Sequence, residues 1–233
     1  MISDYACNTF YELSAKGFSQ YANFEGEEFT NLKNGYIQLI NHLKSKLPNT
    51  VIKLGEPVSN VNYTEDIVQV STPKSIYQAK YVVMTVSLGI LKSKYNTLFT
   101  PALPDAKISA INRLGFGVVN KLFYVFEKPV FDDPDVSGVQ FLWANDTDFK
   151  LRSNLRCNLS AKFSQFYKSF NVLTVPPKRR NIFFSFFTGE NSIYSESLSD
   201  ECLIDVMNDL LTKFFPQFNI PRPKALVRLE FLL

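Results

Sequence analysis

Between residues 36 and 47 the apolar positions Tyr36, Leu39, Ile40, Leu43 and Leu47 recur at the spacing of one helix face, with Asn34-Gly35 before them and Pro48-Asn49 after. The spacing predicts a helix. A second stripe, Leu203, Val206, Met207, Leu210, Leu211 and Phe214, follows Ser199 and stops at Pro216. It carries Asp200 and Glu201 in its first turn, where the helix dipole favours acids. A shorter helix is expected over 105–113, with Ile108 and Ile111 inward and Gly115 just beyond its end in the left-handed conformation that closes many helices. Residues 5–21, rich in aromatics, are also compatible with a helix.

The strand-like runs have a different pattern. Val51-Ile52-Lys53-Leu54 reads as a short strand, and 58–63 with 66–71 as a hairpin around a Thr-Glu-Asp turn. The continuous apolar runs Tyr81–Val86 and Ile182–Phe187 are too short for helices and predict strands buried on both faces. Lys121–Phe126 predicts another strand, whereas Ser87–Leu91 and Phe99–Pro104 read as loops. Residues 145–180 are the least regular, ending in the solvated charge cluster Lys178-Arg179-Arg180. Together these elements describe a mixed α and β chain, an α+β fold with sheets flanked by helices.

Composition narrows the function classes. With 45% apolar and 20% charged residues, the 233-residue chain is globular, long enough for one large domain or two small ones. The net charge of +3 gives no ground for a nucleic-acid partner. No apolar run approaches about 18 residues, so no membrane span is expected. The start, Met1 to Tyr5, lacks the basic and apolar regions of a signal peptide. An intracellular place, cytoplasmic or peroxisomal, is expected. Cys7, Cys157 and Cys202 are scattered, which predicts free buried thiols and no metal site. His42 is the single histidine and falls within the first helical stripe, so catalysis of the Ser-His-Asp or Cys-His kind has no support.

Nine glycines make about 4% of the chain, against roughly 7% in average usage. The one GxG, Gly115-Phe116-Gly117, has Asn120 where a dinucleotide fingerprint has its third glycine. It also follows a helix instead of a strand, so it is not a phosphate loop. Lys121 opens an apolar strand, and two readings stand: a strand-end lysine reaching solvent, or a desolvated lysine suited to proton transfer. Glu25, Glu27 and Glu28 beside Tyr21 and Phe24 suit either an exposed acidic turn or the recognition of a cationic amine.

The ordered strings carry more. Asn34-Gly35-Tyr36 before a helix, Glu56-Pro57-Val58, the run from Val82 to Lys92, Leu103-Pro104 and the run from Leu114 to Pro129 resemble the flavin-containing amine oxidases, animal polyamine oxidases in particular. Gly189-Glu190, Ser197 to Glu201 and Pro221-Arg222-Pro223 continue the similarity. The resemblance implies two interleaved domains. Residues 31–100 would belong to the FAD-binding domain, residues 1–30 and 101–225 to the substrate domain, and residues 226–233 to a return toward the FAD domain. It implies FAD-dependent oxidation of polyamines or other secondary amines to an imine, with dioxygen as acceptor and hydrogen peroxide as product. In that family a lysine near flavin N5 holds a water; it matches Lys121 as the catalytic position. Val58 matches a valine whose main chain contacts the adenine, and Thr85 a position near the cofactor. Tyr21 and Glu28 match an aromatic and an acid near the substrate amine.

Two departures stand out. The family's glycine-rich phosphate loop and its C-terminal flavin segment have no counterpart here, so the chain alone is expected to hold FAD weakly and to be inactive by itself. An inactive remnant that binds polyamines, or pairs with an intact oxidase, is the alternative.

Overall fold

The computed structural model describes residues 10–20, 32, 34–133, 135–143, 159, 166–176 and 178–229. The chain divides into two compact units, one of Ala15–Leu114 and one of Met1–Ser14 with Gly115–Leu233.

The first unit contains α1 (Ala15–Phe18), α2 (Ile37–Ser45), β1 (Asn60–Asn62), β2 (Val68–Ser71), β3 (Ile76–Ala79), α3 (Leu88–Leu98), β4 (Phe99–Thr100) and α4 (Asp105–Arg113). Its four strands form one sheet in the order β3-β2-β1-β4. The expected hairpin is the antiparallel β1–β2 pair, with Val61 opposite Val70; β3 extends it, and β4 joins β1 in parallel. Asn60 Nδ2 ties the β1 edge to β4, donating to the Thr97 carbonyl at 3.2 Å and to Thr100 Oγ1 at 3.1 Å.

Helix α4 has the predicted bounds, but Gly115 does not close it in a left-handed turn; Leu114 follows in extended backbone. Lys92 Nζ donates to the Ile111 and Asn112 carbonyls at 2.7 and 3.2 Å, covering helix-end acceptors that a glycine turn otherwise satisfies. The stretch after Ser87, expected as a loop, is instead α3, capped by Ser87 Oγ accepting from the Ile90 amide at 3.3 Å.

Two strand expectations in this unit are corrected. Residues 51–54 and 81–86 belong to no described strand or ladder. Tyr81 and Val83 are 83% and 85% exposed. Burial on both faces requires a layer packed on each face of a sheet, and neither run is part of a described sheet. Helix α2 forms as its spacing demands, but none of its residues is buried.

The second unit is built on a sheet ordered β6-β7-β8-β5-β9, from β5 (Val119–Val125), β6 (Gly138–Gln140), β7 (Val172–Thr174), β8 (Ile182–Thr188) and β9 (Ala225–Leu229). Every pair is antiparallel. Helices α5 (Gly189–Glu196) and α6 (Asp200–Phe214) follow β8. Ser199 caps α6, its Oγ accepting from the Cys202 amide at 3.2 Å. The apolar stripe of α6, Leu203, Val206, Met207, Leu210 and Leu211, is fully buried with Leu122, Tyr124, Phe183 and Phe187 of the sheet. Aromatic rings fill this core. Phe187 meets Phe170 edge-on at 4.7 Å and stacks on Phe166 at 5.3 Å.

Strand β8 was expected to be buried on both faces. Phe183, Ser185 and Phe187 are buried, but Phe186 is 38% exposed, because α6 covers one side of the sheet and no described helix covers the other. Cys202, expected as a free thiol, is buried and disulfide-bonded.

Candidate active site

The uncovered face of the five-stranded sheet carries the candidate chemistry. Strand alternation sends Asn120, Leu122 and Tyr124 of β5 into the core and leaves Val119, Lys121, Phe123 and Val125 on the other side. Lys121 lies opposite Phe186 of β8 and Leu229 of β9. Its Nζ stands 4.9 Å from the centroid of the Phe186 ring, a cation–π contact. Phe186 meets Phe184 edge-on at 5.6 Å, and Phe184 stacks on Phe123 at 5.3 Å. The result is a strip of three phenylalanines with one ammonium at its end. Among the β5, β8 and β9 residues on that face, Lys121 is the single charge. The lysine therefore neither runs free into solvent nor sinks into the core; it is laid across an aromatic floor. Such a surface offers apolar contact to an alkyl chain and N–H donors to a water or lone pair at one point.

The opposite face supports this one. Asn120 is fully buried, and its Nδ2 donates to the Ser192 carbonyl at 3.1 Å and to Glu196 Oε1 at 2.8 Å, both on α5. Burial pushes the Tyr124 phenol well above the usual tyrosine value, against a smaller opposing pull from the Arg228 charge.

Val58 and Thr85 belong to the other unit, on separate segments outside its described helices and strands, and both are exposed. Val58 is placed through its neighbours. Glu56 Oε2 accepts from the Tyr77 hydroxyl at 2.7 Å and from Thr72 Oγ1 at 3.1 Å, and the Ser59 amide donates to the Ser71 carbonyl at 2.9 Å. These bonds pin the segment to the hairpin on both sides of Val58. The Tyr77 hydrogen bond, then that of Thr72, holds the Glu56 carboxyl below its ordinary value despite a partial desolvation that opposes it. Tyr21 and Glu28 lie outside the described residues.

The phenylalanine strip was missed in the sequence because Ile182–Phe187 looks uniformly apolar; its period of two emerges only once one face acquires a helix. The Asn120–Glu196 bond was not legible either, joining residues 76 positions apart.

The profile of the family described as "Flavin containing amine oxidoreductase" matches residues 4–232.

The chain belongs to this family.

Among the flavin amine oxidoreductases, it is 34% identical over 204 residues to "Probable polyamine oxidase 5" of Arabidopsis thaliana, covering 84% of this chain and 36% of that protein. It is 28% identical over 229 residues to "Peroxisomal N(1)-acetyl-spermine/spermidine oxidase" of Bos taurus, covering 91% of this chain and 42% of the relative. The chain thus spans about two fifths of the curated relatives' length. Its fold matches that of "Cyclohexylamine Oxidase from Brevibacterium oxydans IH-35A" with a TM-score of 0.54 at 15% identity, over 84% of this chain and 38% of that one.

Membership makes FAD the cofactor that this fold serves. The residues present fit it in part. Among the described residues no hydrogen bond reaches the Val58 main chain, so its N–H and C=O are open to a planar base. No glycine-rich turn between a strand and a helix, such as would hold a pyrophosphate, occurs in the chain. Among the described residues no group of three or more His, Cys, Asp or Glu side chains is arranged to hold a metal ion. No described helix is long and apolar enough to cross a membrane.

Proposed function

We propose that this chain is the part of a FAD-dependent oxidase that receives a polyamine or another secondary amine, with Lys121 acting at the reacting centre. The observation that carries the reading is the Lys121 ammonium laid over Phe186 at one end of the Phe123–Phe184–Phe186 strip. Bound FAD would supply the acceptor for a hydride from the carbon beside the amine nitrogen, with dioxygen as the final electron acceptor and hydrogen peroxide as its product. The protein's share is positional. The phenylalanine strip accepts the methylene chain of the amine and excludes water from it. Lys121 Nζ, an N–H donor fixed in apolar surroundings, holds a water at the edge of the strip. That water can take part in proton movement and later hydrolyse the imine product. In the other unit, Val58 offers its open main chain to the adenine, Thr85 lies on the cofactor side, and Tyr21 and Glu28 receive the substrate's ammonium.

Further polypeptide completes the cofactor site in this reading. Its support is the exposed α2, the unpaired Tyr81–Val86 run and the two-fifths share of the relatives' length. Residues 1–233 alone then bind FAD weakly. The test is to express the longest open reading frame containing these residues, confirm bound flavin by absorbance, and measure hydrogen peroxide release. Spermine, spermidine, their N-acetylated forms and benzylamine are the substrates to compare. Oxidation of the polyamines is expected. A flavin-loaded protein that oxidises none of these amines overturns the reading, and turnover of benzylamine alone moves the substrate class to monoamines.

A further inference from the structure

Strand β5 carries apolar side chains on both faces, Leu122 and Tyr124 inward, Val119, Phe123 and Val125 outward. Where both faces are apolar, hydrophobic pattern specifies the facing of a strand weakly, and a slip of one residue exchanges the two sets. In β5 that exchange would drive Lys121 into the core. The adjacent polar residues Asn120 and Lys121 distinguish the faces, and they do so unequally. Among the described residues, the Phe186 ring is the neighbour that meets the Lys121 charge. Asn120 is fully buried, and its amide meets two acceptors on α5, the Ser192 carbonyl at 3.1 Å and Glu196 Oε1 at 2.8 Å. A buried amide with both acceptors in place is a strongly directional contact, and the space it occupies suits a short side chain, not a lysine stem. The start of α5 is tied to the same strand, since the Gly189 amide donates to the Val118 carbonyl at 3.0 Å. Helix α5 thus grips β5 on either side of Val119.

We infer that Asn120 is a positioning residue for Lys121: its amide, clamped by Ser192 and Glu196, fixes which way β5 faces and so holds the Lys121 ammonium over Phe186. The functional meaning of this clamp rests on the reading above, in which Lys121 acts at the reacting centre. The geometry it asserts is measured without any turnover.

The measurement uses the ring current of Phe186. Protons held over an aromatic face resonate upfield, so the Nζ-methyl signal of Lys121 in the reductively methylated 233-residue chain, with ¹³C-labelled methyl groups that keep the charge, is expected upfield of the other lysines. Lys121→Arg assigns the signal by deleting it, and Phe186→Leu returns it to the position of an exposed lysine. Asn120→Leu, close in volume, is expected to lose at least half of the upfield displacement while far-UV circular dichroism stays unchanged. If Asn120→Leu does not fold, the Glu196 variants decide. Glu196→Gln, which keeps an acceptor, retains the displacement, and Glu196→Leu reduces it. A Lys121 signal without upfield displacement in the methylated chain that carries no substitution overturns the inference. So does a displacement that survives in a folded Asn120→Leu chain, or in Glu196→Leu where that variant decides; a merely structural role predicts this result, lowered stability with an unmoved lysine. Failure of the functional reading shows elsewhere, as unchanged amine turnover on replacing Lys121 in the flavin-loaded oxidase.

Discussion

Arg228 of β9 binds Asp200, the first residue of α6, with Nε donating to Oδ1 at 2.6 Å. The same guanidinium donates to the Ser195 carbonyl at 3.2 Å and to the Leu198 carbonyl at 2.6 Å. One planar fork therefore closes the end of α5, the turn after it and the start of α6 onto the edge strand of the sheet. Arg222 repeats the device one turn on, bonding Glu201 at 2.6 Å and Asp205 at 2.8 Å.

Arg228→Met should destabilise the second unit by about 2 kcal/mol, since it strands the part-buried Leu198 carbonyl and takes a donor from the Ser195 carbonyl, which keeps the Leu198 amide. Arg228→Lys should recover less than half of that, because a single ammonium cannot reach all three acceptors at once. Urea denaturation followed by the fluorescence of Trp143 reads the difference, and equal stability of Lys and Arg at this position would refute the fork.

The Glu56 tether gives a pH dependence with a definite sign. Its carboxyl titrates below the ordinary glutamate value in the folded chain, so the stability it contributes is fully present above that ordinary value. It is lost as pH falls through the lower folded value. Tyr77, raised by donating to the same carboxylate, loses its share at the alkaline end as pH climbs past the usual tyrosine value. The protection of the Ser59 and Ser75 amides, taken as the ratio of intrinsic to observed exchange rate at each pH, should therefore fall on acidification, and Glu56→Gln should flatten that response. An acid profile identical in the two proteins excludes the tether.

Core and surface aromatic or aliphatic positions should separate cleanly. Phe187→Ala removes a ring packed against Phe166 and Phe170 in a buried site and should cost about 3–5 kcal/mol. Leu43→Ala, on the exposed stripe of α2, should change stability by no more than about 0.5 kcal/mol in this chain. A large loss at Leu43 would mean that α2 packs in solution against a surface that the 233 residues supply.

In the flavin-loaded oxidase, Lys121→Met should slow amine oxidation or flavin reoxidation about 100-fold with little effect on stability, since the side chain lies on the outer face of β5, away from the buried set Asn120, Leu122 and Tyr124. Stopped-flow absorbance of the flavin separates the two steps, and unchanged rates in both would remove Lys121 from the chemistry.

The helices over 105–113 and 200–214 were legible because their signals are local: amphipathic spacing, and for the second a serine cap and a terminal proline. Helix α3 carries both a cap, Ser87, and a helix-spaced stripe, Leu88, Leu91, Tyr95 and Leu98, so its signal is local as well; α5 was missed because Gly189-Glu190-Asn191-Ser192 reads as a turn. There Gly189 takes a φ of 61°, a left-handed step that leads directly from strand to helix. The apolar run Tyr81–Val86 predicts a buried strand, yet it joins no described ladder and Tyr81 and Val83 are exposed, since a residue's own chemistry sets its backbone preference while pairing and burial depend on a neighbour. For the same reason Lys121 could be named from its local string, whereas the ring beneath it and the amide clamp behind it are contacts between distant parts of the chain.

The unpaired Tyr81–Val86 run also decides how this polypeptide behaves in a test tube. A β-prone segment with open backbone groups and protruding Tyr81 and Val83 is a template on which identical segments stack. Expressed by itself, the chain should drift into β-rich aggregates in a concentration-dependent way, and a charge placed at Val83 should be the shortest route to a soluble sample.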